Sequence, residues 1–183
     1  MKVILASASP RRQELIKMIT EDVIVNPCDC DETIKEGLVG REIAEYLSKI
    51  KGKAVKEQFE EEIIVSADTI VCLGDAVLGK PASREDAFNM LRSLSGRTHS
   101  VFTGVTIIKG EKQKTFSQET KVTFYDLSDE EIDEYINTNE CFDKAGAYGI
   151  QGKGGLLVKE ISGDYFNVVG LPVAKLKREL NNF

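Results

Sequence analysis

The sequence is poor in several residue types, and each scarcity removes a class of explanation. His99 is the only histidine among 183 residues. A histidine-rich zinc centre is therefore excluded, and nothing nearby builds a nucleophilic triad around it. His99 is read instead as a structural hydrogen-bonding residue. The serines lack a nucleophile elbow, because Gly-x-Ser-x-Gly never occurs. The P-loop spacing GxxxxGK[ST] is missing too. No apolar run approaches the roughly 18 residues that a membrane-spanning helix needs. The opening apolar stretch, Val3 to Ala6, is too short for a signal-peptide core and reads as a first buried strand. A cytoplasmic protein without a membrane partner is expected. Only four prolines and a slightly negative mean hydropathy argue against a long disordered tract.

Four cysteines do not make a framework either. Cys28 and Cys30 stand one residue apart, too close for a zinc knuckle, and no second pair follows. Cys72 and Cys141 are isolated. Ordinary reduced thiols are expected. Charge is also short on the positive side, with 24 Lys and Arg against 30 Asp and Glu, a formal net charge of -6. Nucleic acid is excluded as a partner on that balance, since counterion release needs many basic contacts. A small anion or a divalent cation is not excluded, because local groups decide those.

What the chain does have is a hydrophobic fraction of 42%, enough for a real core. Strand and helix patterns alternate, and the second half adds an antiparallel stretch. Lys2 to Ala6 is a strand. Ser9 and Pro10 then read as N-cap and first residue of a helix whose inward face carries Leu15, Ile16 and Ile19. Val23 to Val25 is a strand, and Ile43, Leu47 and Ile50 mark a helix that continues towards Lys56. Ile63 to Val65 is a buried strand, interrupted at Ser66 to Thr69 and resumed over Ile70 to Leu73. A capped helix runs from Ser83 towards Leu94 and stops at Gly96. Val101 to Ile108 and Lys114 to Tyr125 form a hairpin around Gly110. Ser128 and Glu131 make a capping box. A glycine-rich segment, Gly146 to Gly155, precedes a strand over Leu156 to Ile161, and Pro172 opens the last helix. With no linker or repeat, residues 1–183 are read as one α/β domain: a mixed twisted sheet with flanking helices, in two lobes around a central cleft.

Chemistry concentrates in a few places. Ser7-Ala8-Ser9-Pro10-Arg11-Arg12 lies where a buried strand gives way to a helix. Free backbone N–H groups, two hydroxyls and two guanidinium groups converge there, a set suited to phosphate, or else simply a capped helix with solvent-facing arginines. Asp68, beside Thr69, would hold a metal ion, orient an attacking water, or merely cap a turn. Asp29, Asp31 and Glu32 form an acidic loop. Lys53 and Lys80 are candidate lysine clamps, Lys80 in a stiff Gly-Lys-Pro turn, or else ordinary surface lysines. Gln151, among glycines, has the paired donor and acceptor to read a base edge, unless the segment is simply a tight turn packed on the sheet.

These motifs, in one order from Leu5 to Pro172, resemble the Maf family of nucleotide pyrophosphatases. The likeness runs through Leu5 to Leu15, Ala67-Asp68-Thr69, Gly79-Lys80-Pro81, Leu94-Ser95-Gly96 with His99, Asp143 to Gly152, and Val169-Gly170-Leu171-Pro172. It implies an inosine-triphosphate-pyrophosphatase-like fold, often a homodimer. It also implies hydrolysis of a nucleoside triphosphate to monophosphate and pyrophosphate with Mg²⁺, Mn²⁺ or Co²⁺. By the same resemblance, Ser7, Arg11 and Arg12 bind phosphate, and Ser9 between them is read as a further substrate contact. Asp68, Glu32, Lys53 and Lys80 serve catalysis, and Glu32 with Asp68 holds the metal. Arg12, Thr69 and Gln151 match the branch acting on dTTP and UTP. A nucleotide-binding regulator of septum formation without turnover, and a protein acting through contacts alone, are the competing readings. The retained Glu32 and Asp68 favour hydrolysis.

Overall fold

The structure, a computed structural model, describes residues 1–59 and 61–183. Among the described residues, seven strands form one mixed sheet in the order β2-β1-β3-β5-β6-β7, with β4 paired to β3. The strands are β1 (Val3–Leu5), β2 (Val23–Val25), β3 (Ile63–Leu73), β4 (Ala76–Leu78), β5 (Thr98–Lys109), β6 (Lys112–Phe124) and β7 (Val158–Ser162). Helices α1 (Pro10–Lys17), α2 (Arg41–Lys56), α3 (Arg84–Leu94), α4 (Asp129–Ile136), α5 (Tyr165–Val169) and α6 (Val173–Asn181) pack on it. Strand β1 runs parallel to both β2 and β3, and every other pairing is antiparallel. One large cluster of the core lies under α1 and α6, around Leu15, Ile16, Val105 and Leu176. A second lies under α3 and α4, around Leu91, Phe124, Ile132 and Tyr148. Two smaller ones lie under α2, where Val55 meets Ile64 and Ile108, and Leu47 meets Ile70 and Cys72.

The cleft follows from how β3 is partnered. Along one edge it pairs with β5 from Ile64↔Ile108 to Cys72↔Ser100. Along the other, β1 covers residues 63–65 and β4 covers residues 71–73. Residues 66–70 lie between them without a strand on that edge, among the described residues. Asp68 sits in this gap.

This differs from the interrupted strand that the sequence suggests at Ser66 to Thr69. Strand β3 is continuous, because its polar side chains find partners on other elements rather than in a turn. Ser66 Oγ donates to the Ser48 carbonyl of α2 at 2.7 Å, and Asp68 pairs with Lys51 of the same helix. Thr69 is hydrogen-bonded on the opposite face. With their side chains satisfied, these residues keep their ladder positions opposite β5.

Helix α2 comes close enough for this because two positions carry no side chain. A Cβ on Gly104 of β5 would lie 2.2 Å from the Ala44 backbone, and one on Gly52 would lie 2.7 Å from Ser66 Oγ. Both glycines let the helix lie directly on the sheet, which brings Lys51 within reach of β3.

Elsewhere local signals act as expected. Ser128 Oγ accepts from the Glu131 amide while the Glu131 carboxylate accepts from the Ser128 amide, a complete capping box on α4. Ser83 caps α3 by accepting from the Asp86 amide, and the Asp86 carboxylate accepts from Ala82 instead. The glycine-rich segment forms 3₁₀ turns at Ala145–Ala147 and Gly152–Leu157, so β7 starts at Val158 rather than at Leu156. Among the described residues no helix is long and apolar enough to cross a membrane.

Candidate active site

A cleft of about 660 Å³ opens over the uncovered edge of β3, a size typical of small-molecule sites. Ser9, Arg11, Arg12, Glu32, Asp68, Thr69, Lys80 and Gln151, all candidates from the sequence, line it. Ser7 lines an adjoining recess at the start of α1, together with Ser9 and Arg11. Gln151 stands exposed on the cleft wall beside Gly152, away from that recess.

The centre of the cleft is an ammonium held between two carboxylates. Lys51 Nζ lies 2.5 Å from Asp68 Oδ1 and 2.9 Å from Glu32 Oε2. The Lys51 and Asp68 side chains are only 12% and 13% exposed, whereas Glu32 is 55% exposed. Burial alone would lower the lysine pKa, but Asp68 first and Glu32 second outweigh it and hold the value above the ordinary one. Lys51 therefore stays charged. Among the described residues no group of three or more His, Cys, Asp or Glu side chains forms a metal cage. Two carboxylates converging on one cation are what the chain itself supplies.

Lys53, the lysine expected here, is exposed and absent from the cleft. Two helical positions turn the side chain by about 200°, so Lys51 and Lys53 leave opposite sides of α2. The pattern contained the right choice. Lys51 stands four residues after Leu47 and four before Val55, both buried, and so lies on the inward row of the helix.

The paired arginines also separate. Arg12 is half-buried, and most of its guanidinium is spent on the protein: Nε donates to the Gly170 carbonyl at 2.8 Å, Nη1 to Ser7 Oγ at 3.3 Å and Nη2 to Thr69 Oγ1 at 3.0 Å. Burial lowers its pKa, with Asp68 pulling the other way. Two of its five N–H groups remain. Arg11 instead reaches across the cleft mouth, 3.6 Å from Asp143 Oδ2. Ser9 occupies the N-cap position of α1, yet its hydroxyl makes no capping bond. With proline next, the helix start presents uncapped amides and its positive end to the recess, the arrangement that favours an anion.

A family model described as Maf-like protein matches residues 2–183. The chain belongs to the Maf-like family. It is 51% identical to the dTTP/UTP pyrophosphatase of Carboxydothermus hydrogenoformans over all of this chain and 99% of that one. It is 48% identical to the dTTP/UTP pyrophosphatase of Bacillus cereus (strain ATCC 14579), over all of this chain and 95% of that one. Among solved structures it resembles the Staphylococcus aureus Ham1 protein with a TM-score of 0.59 and 16% identity, covering 100% of this chain and 99% of that chain. That last likeness concerns the fold alone.

Behind the Maf-like cleft, His99 is buried and its Nε2 lies 2.7 Å from Tyr148 Oη, with Phe124 edge-on at 5.1 Å. Burial pushes its pKa down to about 4, so it is neutral at physiological pH. It supports Tyr148, whose ring lines the cleft. The four cysteines are free, and Cys28 and Cys30 touch with their sulfurs 3.5 Å apart.

Proposed function

We propose that this Maf-like chain is a nucleoside triphosphate pyrophosphatase that hydrolyses dTTP and UTP to the monophosphate and pyrophosphate. One observation carries the reading: the Asp68–Lys51–Glu32 cluster and the open start of α1 share a single cleft. One end suits phosphate oxygens and the other suits activation of water. The two relatives bearing the dTTP/UTP pyrophosphatase name, aligned across the whole chain, support the choice of substrate.

The triphosphate lies with its phosphates against the α1 amides, Ser9 and Arg11, and Lys80 reaches the leaving end from the opposite side. Water attacks the α phosphorus. One P–O bond forms, the bond from the α phosphorus to the bridging oxygen breaks, and pyrophosphate leaves with the bond pair. Asp68 takes the proton from the attacking water. Lys51 fixes the direction of the Asp68 carboxylate and neutralises charge as it grows.

A divalent ion fits this donor set. Glu32 and Asp68 already converge on one cation, and Mg²⁺ is bound by few carboxylates together with substrate phosphates. Glu32 and Asp68 would hold Mg²⁺, Mn²⁺ or Co²⁺, which when bound polarises the phosphate and lowers the pKa of a coordinated water. Gln151 pairs with the O4 and N3–H edge shared by uracil and thymine.

The test is a UTP digest with and without a divalent ion, the products separated by chromatography. UMP and pyrophosphate in equal amounts, appearing only with the metal, are expected. Stoichiometric UDP and orthophosphate would overturn the reading.

A further inference from the structure

The Thr69 hydroxyl has a direction, and a residue away from the cleft sets it. Thr69 and Thr103 stand directly opposite in the β3–β5 ladder, with their hydroxyl oxygens 2.9 Å apart. Thr103 Oγ1 also lies 2.9 Å from the Asn167 carbonyl oxygen of α5. A carbonyl only accepts, and a hydroxyl has a single hydrogen. The Thr103 hydrogen is therefore committed to Asn167. Between the two threonines the donor must then be Thr69, which leaves the lone pairs of Thr69 Oγ1 to accept from Arg12 Nη2 at 3.0 Å.

Each link is thus oriented one way, from the Arg12 guanidinium to Thr69, to Thr103, to the Asn167 carbonyl. The far end is firmly built. Thr103 and Asn167 are wholly buried, and Asn167 Nδ2 donates to the Val101 carbonyl and to Thr120 Oγ1, both at 3.0 Å. Hydrogen bonds in such a series polarise one another, so the last acceptor strengthens the first.

We propose that Thr103 is a positioning residue for the pyrophosphatase cleft: it turns the Thr69 hydroxyl hydrogen away from the ligand and so aims the two unspent N–H groups of Arg12. This rests on the reading that the cleft binds a nucleoside triphosphate. Without the Thr103 oxygen, the Thr69 hydroxyl rotates to seek another acceptor, and the Arg12 fork loses one of its three anchors.

Binding is measured by calorimetry with α,β-methylene-UTP, whose α–β bridge cannot be hydrolysed, alongside UTP turnover. Thr103→Val removes only the hydroxyl, and Thr103→Ala replaces it if the valine variant does not fold. The expected result is a roughly tenfold loss in analogue affinity and in kcat/KM, restored to within about twofold by Thr103→Ser. The decisive comparison is made in a Thr69→Val background. There Thr103→Val is expected to change neither quantity by more than about twofold, since its effect passes through a hydroxyl already gone. An equal tenfold loss in that background would show a general structural role and overturn the proposal. So would an unaffected Thr103→Val protein, or a wild type that does not bind the analogue. A wild type that binds the analogue but releases no pyrophosphate would sink the hydrolysis reading and leave the coupling measurable.

Discussion

Replacing Lys51 and Lys53 in turn by Met separates a residue that holds the site from one that decorates the surface. Lys51 and Asp68 lie 2.5 Å apart with side chains 12% and 13% exposed, so their pair belongs near the buried limit. Removing one partner of a fully buried pair costs about 3–5 kcal/mol, and of an exposed pair about 0–1 kcal/mol. The half-exposed Glu32 arm adds little and lets water reach the cluster. Lys51→Met should therefore cost about 2–3 kcal/mol, chiefly because Asp68 is left facing Glu32 without a cation between them. For a domain of this size, that is a drop in Tm of roughly 4–12 °C. Turnover should fall by about 10²-fold or more, the usual scale for a lost electrostatic group. Lys53→Met, at an exposed site outside the cleft, should stay within about 0.5 kcal/mol and keep its turnover. Thermal melts and pyrophosphate release from UTP measure both quantities on the same preparations. Equal losses in the two variants, or a larger one in Lys53→Met, would refute the placement of Lys51.

Asp68→Asn keeps the shape of the carboxylate and removes its charge, so pyrophosphate release should fall by about 10²-fold or more; unchanged turnover in a folded variant would take Asp68 out of the chemistry. His99 has its pKa lowered from 6.5 to about 4 by burial. The unfolded chain therefore binds the extra proton first, and stability is complete above pH 6.5 and drains away as pH falls towards 4. Between pH 7 and pH 5 this amounts to about 2 kcal/mol, or roughly 4–8 °C in Tm, and His99→Gln should lack that share of the acid slope. Lys51 shows the opposite sign: its pKa is raised above 10.5, so the stability it brings is complete below that value and is lost as pH climbs through the raised one. An alkaline melt series in which Lys51→Met falls as steeply as wild type would contradict this. Gly104→Ala puts a Cβ 2.2 Å from the Ala44 backbone, which cannot yield as a side chain can, so α2 must lift. A loss of at least about 1–3 kcal/mol, with slower turnover, is expected in melts and UTP assays.

How far the site can be read from sequence depends on whether its partners are local. The start of α1 is legible, because a buried strand, a short polar turn and Pro10 after Ser9 announce it within a few residues. The capping box at Ser128 and Glu131 and the hairpin of β5 and β6 are legible for the same reason. Asp68 lines the cleft, but it lies within a continuous strand and not at the break that its local sequence suggests. The partner that lets it remain in the ladder lies 17 residues earlier on α2. Lys51 was readable in principle from its row with Leu47 and Val55, yet two lysines flanking a glycine look alike until the face of the helix is fixed.

The arginines show where local reading stops. Neighbours in sequence and alike in chemistry, Arg11 and Arg12 reach opposite fates through contacts that no spacing reports. Arg12 finds Thr69 at 57 residues' separation and Gly170 at 158, and with Ser7 these anchor the fork. An arginine held at three points keeps its remaining donors in fixed directions, and a substrate need not supply the entropy of ordering it. Arg11 is paired only at 3.6 Å with a carboxylate that is 67% exposed, a contact that a triphosphate can readily displace. The cleft thus combines a rigid positive charge in its wall with a movable one at its mouth. The first shapes the space that the nucleotide enters, and the second becomes available as the phosphates arrive.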